Sequence, residues 1–319
     1  MKLTIIVTVY NKEKYLRRAL ESVLLQEHVS EGDYEVMVVN DGSDDGSPAI
    51  IEEYAERDSR IRVLTQQNQG LSIARNNGVK AAKGDYIWFV DADDSVSPES
   101  VASIVEAIDQ SPDIIPIYAN NNDSVNVTNA IPAAATSGRD ILLSGKWRHC
   151  GPFYVYKRSF LIDNGLFYYP GIYHEDSELT PRLLYYAKSA VVVDKVLYTI
   201  YADPDSITRV PKVKRAYDNI FVASRLKDFC DDFLKDDVEL RKVFDSSIST
   251  IINNAFKVIV HFSKQEQQAF NHQLFPKREL LKSLKDSGQL KYGIEYYVFT
   301  IFQPRYSEMF RLLRKCAGY

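Results

Sequence analysis

Apolar positions along this chain follow two rhythms. Continuous runs occupy residues 3–10 (LTIIVTVY), 34–40 (YEVMVVN) and 86–91 (YIWFVD), and 60–66 (RIRVLTQ) reads as a further short strand. Short runs rich in β-branched residues and lacking polar alternation predict strands buried on both faces. Between them the apolar residues recur at helical spacing. Leu16, Ala19, Leu20, Val23 and Leu24 form one such stripe, and Ile50, Ile51, Tyr54 and Ala55 a second. Residues 70–84 supply a third helix, and Val101, Ile104, Val105 and Ile108 a fourth. Asn11 is placed to cap the first helix, Ser47-Pro48 to start the second, Gly84 to close the third and Ser97-Pro98-Glu99 to open the fourth. This alternation predicts an α/β fold with a mostly parallel sheet covered by helices on both sides. Ligands of such sheets bind beyond the carboxyl ends of the strands. Tyr10-Asn11, Asn40-Asp41 and Asp91 to Asp94 are therefore expected to line one crevice.

The rhythm lapses over 119–139, which is rich in Asn, Ala and Thr and reads as a loop or a short hairpin. Residues 153–165 predict a strand and a short helix ending at Gly165. Residues 175–188 predict a helix despite Pro181, and 190–203 one or two strands. From about 212 only helical spacing remains, in two long segments (212–234 and 238–262) and two more after Pro276 and Pro304. A boundary near 210 is expected, with a sheet domain over 1–210 and a helical region over 211–319.

Composition narrows this modestly. With 45% hydrophobic and 26% charged residues the chain is ordinary globular protein. A net charge of −4 offers no global attraction to nucleic acid or an anionic membrane. Cys150, Cys230 and Cys316 are far apart and odd in number, which argues against a disulfide framework or a zinc site and for a reducing compartment. The N-terminal residues read as a strand rather than a leader, and no run approaches the ~18 apolar residues of a spanning helix. The sequon Asn126-Val127-Thr128 is a chance-level match.

Candidate chemistry starts where the 86–91 run ends, in Asp91, Asp93 and Asp94. Crowded carboxylates raise one another's pKa values and need a cation, a hydrogen-bond network or a proton. Asp91 and Asp93, two residues apart after a strand, suit a hard cation such as Mg²⁺ or Mn²⁺ bridged to phosphate. The bland reading is a polar loop in which Asp94 or Ser97 caps the next helix. Residues 41–52 match a calcium-loop pattern, but a strand precedes them and Pro48 starts a helix inside them. There is no GxGxxG after the first strand, no GxxxxGK[ST] and no GxSxG. WFVDADDSV is similar to the loop of aspartate-nucleophile phosphatases, a competing reading that leaves the first forty residues without a role.

Taken together, IIVTVYNKEKYLRRALESVLLQ (5–26), VVNDGSDDGS (38–47), NQGLSIARNNGVKAAKGDYIWFVDADD (68–94), HEDSEL (174–179) and DSITR (205–209) resemble glycosyltransferase family 2. The resemblance covers about residues 3–210 and is to inverting enzymes of bacterial polysaccharide type. It implies a GT-A, Rossmann-like fold and transfer of a sugar from a nucleotide donor, UDP-linked, with Mn²⁺ or Mg²⁺. Tyr10 would lie against the base, with Val9 and Asn11 beside it, and Asp41 would accept the uracil imino proton. Arg75 would reach a base carbonyl, and Asn68 and Gly70 would border the pocket. Asp91 and Ala92 would meet the ribose or metal, and Asp93 would hold the metal against the diphosphate. Asp176 matches the base position, with Glu175 beside it; acids at a helix N-terminus also favour the dipole. His174 reads as an extra metal or acceptor contact, or as a structural histidine. Ser206 and Arg209 would donate to the diphosphate, against the bland reading of a surface turn.

The resemblance further implies a glycan or lipid-linked acceptor, no nucleic-acid partner, and a cytoplasmic protein that could work at the inner membrane face. In the tail, Arg305, Arg311, Arg314 and Lys315 interleave with Phe302, Tyr306, Phe310 and Leu312. That pattern fits a helix docking on a membrane or a partner chain, or one packed on its own domain. The helical region is equally a candidate dimerisation element, and a non-catalytic binding module is the remaining alternative.

Overall fold

The computed structural model describes every residue except 31, 123–130, 202–211, 303–305, 307, 308 and 311–319. The chain forms two compact units: residues 1–171 with 179–204, and residues 172–178 with 205–319.

The first unit is built on the strands the apolar runs predict. These are β1 (Leu3–Val9), β2 (Tyr34–Asn40), β3 (Ile61–Thr65) and β4 (Tyr86–Asp91). Every residue of β1 and β2 is buried, as continuous apolar runs require. Between them run α1 (Leu16–Leu24), α2 (Ser47–Arg57) and α3 (Leu71–Ala81). β5 (Ser95–Val96), α4 (Ser100–Ile108), β6 (Ile114–Asn121), α5 (Gly138–Ser144), β7 (Tyr154–Lys157), α6 (Arg158–Asp163), α7 (Glu175–Tyr186), whose first turn is counted with the second unit, and β8 (Val193–Ile200) follow. The sheet order is β3-β2-β1-β4-β7-β6-β8-β5. β1 to β4 are mutually parallel, and β7 then enters antiparallel between β4 and β6.

Strand β6 is absent from the sequence reading. Pro116 lies inside its IIPIYANN stretch, and proline lacks the N–H that a ladder uses. Helix starts also differ from expectation. The α1 cap position is Tyr15, and Asn11 is engaged elsewhere. Gly46, not Ser47, precedes α2, with Pro48 in the first turn as expected. Glu99 precedes α4, so neither Asp94 nor Ser97 caps it.

Gly84 does not close α3, which ends at Ala81. It lies against β1 instead: a Cβ there would stand 2.5 Å from the Thr4 nitrogen and 2.6 Å from the Leu3 carbonyl carbon. Around it Thr4 Oγ1 accepts from the Gly84 N–H (2.8 Å) and donates to Glu35 Oε1 (2.8 Å). The buried Glu35 also pairs with Arg62 (3.0 Å) and accepts from the Lys83 N–H (2.7 Å). Burial pushes the Glu35 pKa up, but these hydrogen bonds outweigh it and hold it below the usual value. This charge cluster sits where the strands begin and is structural.

The second unit is helical: α8 (Val213–Phe233), α9 (Val238–Ile259), α10 (Lys264–Leu274), α11 (Arg278–Asp286) and α12 (Leu290–Phe302). Its core is aromatic. Phe229 stacks on Phe244 at 5.5 Å, and Phe256 meets Phe270, Phe299, Tyr306 and Phe310. Tyr306 and Phe310 are thus buried, and Phe302 is exposed. α10 and α12 are elements the sequence reading did not single out. No helix among the described residues is long and apolar enough to cross a membrane.

Candidate functional site

Parallel register gathers the strand ends. Val9 stands beside Asn40, Thr8 beside Asp91, and Asn40 beside Thr65. The residues that follow leave the sheet along one edge. Thus Val9, Tyr10, Asn11, Asp41, Asn68, Gly70, Arg75, Asp91, Ala92 and Asp93 all belong to the first unit and lie at or beside that edge.

The loops after β1 and β2 are clasped together. Asn11 has φ 52, a left-handed conformation that asparagine tolerates. Its Nδ2 donates to Asp44 Oδ1 (2.6 Å), its Oδ1 accepts from the Asp44 N–H (3.0 Å), and its own N–H donates to Ser43 Oγ (3.1 Å). The Lys12 N–H donates to Ser47 Oγ (3.0 Å), and the Glu13 N–H to Asp45 Oδ2 (3.0 Å). The Gly46 N–H also donates to Glu13 Oε2 (2.7 Å), so Gly46 and the two hydroxyls of DGSDDGS serve this clasp. Tyr10, ahead of it, is 46% exposed and leaves its ring available for stacking.

Asp41 is buried and organises the 66–70 loop. Its Oδ1 accepts from Gln66 Nε2 (2.8 Å) and the Gln69 N–H (2.9 Å), and its Oδ2 from the Gly70 N–H (2.9 Å). A carboxylate offers about four acceptor positions, so one on Oδ2 stays open among the described residues. Gly70 has φ 87, and Gly42 packs so closely that a Cβ would meet the Asn68 nitrogen at 2.7 Å.

Each of the three crowded carboxylates has its own partner. Asp91 pairs with Arg75 (2.9 Å), whose guanidinium is only 2% exposed and lies near the Phe89 and Tyr168 rings. Asp93 pairs with Lys12 (2.6 Å), and Arg18 donates to the Asp93 carbonyl. Asp94 is held from below: the Tyr198 hydroxyl donates to Oδ2 (2.7 Å), and the Tyr201 N–H to Oδ1 (2.9 Å). Burial, and then the charge of Asp91, push the Asp94 pKa up to about 7. Lys12, Arg18, Tyr198 and Tyr201 are absent from the sequence reading. Lys12 directly follows the Asn11 of the motif and was legible there, whereas Tyr198 reaches Asp94 across 104 positions and carries no local signal.

Asp176 lies in the second unit, in the acidic first turn of α7 with Glu175 and Glu178. Glu178 is fully buried and paired with Arg225 (2.8 Å). His174, just ahead, has φ 66; burial, and then the nearby Arg215, push its pKa down to about 4. It is neutral at pH 7. Ser206 and Arg209 lie outside the described residues, as do Asn126 to Thr128, Arg305, Arg311, Leu312, Arg314, Lys315 and Cys316.

Among the described residues no three His, Cys, Asp or Glu side chains converge as a metal-binding set. Mg²⁺ and Mn²⁺ need only one or two carboxylates when waters and phosphates complete the shell. The oxygen donors of Asp91 and Asp93 are of the right chemistry for such an ion.

Comparison with known proteins agrees with this architecture. The uncharacterized glycosyltransferase YibD of Escherichia coli (strain K12) is 30% identical over 222 residues, 66% of this chain and 64% of YibD. The chain thus spans under two thirds of that relative's length. The crystal structure of S. aureus TarS 1–349 in complex with UDP-GlcNAc superposes with a TM-score of 0.77 at 20% identity, covering 100% of this chain and 92% of that one. The mannosyltransferase PcManGT from Pyrobaculum calidifontis, in complex with GDP-Man and Mn2+, gives 0.54 at 15% identity, covering 98% and 86%. At these identities the likeness establishes the fold, which is GT-A. Residues 4–165, just over half of the chain, match the model of Glycosyl transferase family 2, and the protein belongs to that family.

Proposed function

We propose that the chain is an inverting glycosyltransferase, moving a sugar from a UDP-linked donor to an acceptor hydroxyl in the synthesis of surface polysaccharide or glycoconjugate. The observation that supports this reading most is the shared edge carrying an exposed Tyr10, an Asp41 with one acceptor position open, and the Asp91–Asp93 pair. Tyr10 stacks on the base, flanked by Val9 and Asn11, and Asp41 accepts the imino proton of uracil. Asn68 and Gly70 border the base. Arg75, turned toward Asp91, acts on the donor through it as well as at a base carbonyl. Asp91 and Ala92 meet the ribose, and Ser206 and Arg209 the diphosphate. The UDP-GlcNAc bound by TarS supports the uridine assignment, and the GDP-Man of PcManGT is the alternative to test.

Asp93 would hold Mn²⁺ or Mg²⁺. When bound, the ion supplies charge neutralisation as the glycosyl–oxygen bond breaks. Asp176 takes the proton from the acceptor hydroxyl. That oxygen attacks the anomeric carbon from the face opposite the diphosphate, and the bonding pair leaves with UDP. His174, being neutral, orients rather than neutralises. A phosphatase using Asp91 as nucleophile would leave the clasp and the Asp41 loop without a task.

Residues 1–210 are assigned to donor binding and catalysis, and 211–319 to acceptor, membrane or oligomer contacts. Support for the latter is α12, where Leu290, Ile294, Tyr297 and Ile301 recur at helical spacing and are exposed. Solution mass and vesicle co-sedimentation distinguish a second copy from a membrane surface. The deciding experiment for the function is a thermal-shift panel of UDP and GDP with and without Mn²⁺, followed by UDP-sugar turnover. Ligand at about a hundred times its Kd should stabilise by about 2.7 kcal/mol. The reading predicts a shift with UDP plus metal; a panel in which no nucleotide moves the transition overturns it.

A further inference from the structure

We propose that Lys12 is an internal counter-cation that occupies Asp93 until a divalent metal takes its place, after which the released ammonium turns to the donor's diphosphate. The second half rests on the donor-site reading above; the first half does not.

The geometry separates Lys12 from the other cations at this edge. Its backbone is fixed in the clasp, where its N–H donates to Ser47 Oγ (3.0 Å). From that anchor the side chain reaches 81 positions along the chain to Asp93 Oδ2, at 2.6 Å. Arg18, by contrast, grips the main-chain carbonyl of Asp93, and its guanidinium lies 3.6 Å from the Tyr201 ring centroid. Arg75 is locked beside Asp91 at 2% exposure. Lys12 is a quarter exposed. An ammonium on a flexible stem moves easily, whereas a stacked or buried guanidinium does not. Of the three, Lys12 is the cation built to exchange.

Charge requires that exchange. An ammonium in contact with Asp93 Oδ2 and a divalent ion on the same carboxylate would repel strongly in a partly shielded site. A diphosphate arriving with metal brings negative charge close to the displaced ammonium, which then has a new partner. The chain would therefore keep Asp93 neutralised when empty and keep Lys12 paired when loaded. Metal affinity in the absence of nucleotide would be held down, so that metal and donor enter together.

The test measures Mn²⁺ binding to the full 319-residue chain without nucleotide, by electron paramagnetic resonance of free Mn²⁺. Lys12→Met should bind Mn²⁺ roughly tenfold more tightly than the unaltered chain, with Lys12→Gln between them. With Mn²⁺ saturating, the unaltered chain should bind UDP more tightly than Lys12→Met does. Asp93→Asn should abolish Mn²⁺ binding in every background, leaving the free-ion signal undiminished. Equal or weaker Mn²⁺ binding by both Lys12 variants overturns the proposal, as does a lack of Mn²⁺ binding by all of them. Tighter Mn²⁺ binding by Lys12→Met with no UDP binding by any protein would sink the donor reading and leave the Lys12–Asp93 exchange standing.

Discussion

Among single residues, Asp93 and Asp176 divide the proposed labour, and their amides should fail differently. Asp93→Asn removes a charge that sits against Lys12 and should weaken Mn²⁺-dependent UDP binding about tenfold or more. Asp176→Asn should leave UDP binding within about twofold and lower transfer by roughly a hundredfold to ten-thousandfold, the usual range for a general base. Calorimetry with UDP and Mn²⁺, beside a turnover assay, reads both; equal loss of binding in the two variants would refute the division. The acidic trio was legible in the sequence because an apolar run ended in it. Their pairings were not. Arg75, Lys12 and Tyr198 are 16, 81 and 104 positions from their carboxylates, and nothing local announces such contacts.

Among elements, β1, β2 and β4 were readable because each is buried and a continuous apolar run, and the half-exposed β3 because Ile61, Val63 and Leu64 still mark a short strand between two helical stretches. Pro116 hid β6, and competing side-chain partners shifted the helix starts. Gly84 illustrates the gap between a residue and its reason. Its position after a helix suggested a stop signal, yet its service is to let the lead-in to β4 lie against β1. Both near neighbours are backbone atoms and cannot swing aside. Gly84→Ala should therefore cost about 2–4 kcal/mol through enforced strand displacement. Urea denaturation measures this, and a cost below about 0.5 kcal/mol would show that the junction relaxes freely.

At the scale of the molecule, the helical unit carries a buried acid whose ionisation opposes folding. Glu295 Oε1 accepts from Asn253 Nδ2 (2.5 Å), while Oε2 has no partner among the described residues. Burial raises its pKa from the ordinary 4.5, partly offset by Asn253 and by Lys291 and Lys257, with the Tyr306 hydroxyl nearby. An acid whose folded pKa is raised favours the fold most below its unfolded pKa. That contribution is lost as pH rises from about 4.5 through the folded value. Stability of this unit should fall over that window, and Glu295→Gln should flatten the slope. Melting temperatures at stepped pH test it; parallel curves for the two proteins would count against it. Of this unit the sequence disclosed helicity but not packing, since helical spacing marks a face without naming what covers it.

The clasp of Asn11, Lys12 and Glu13 onto Ser43, Asp44, Asp45 and Ser47 has a further consequence. Two loops tied by that many hydrogen bonds have little freedom left to surrender when a guest arrives. Recognition at this edge should then resemble a key meeting a finished lock, with backbone amide exchange in 11–13 and 43–47 already slow before any nucleotide is added.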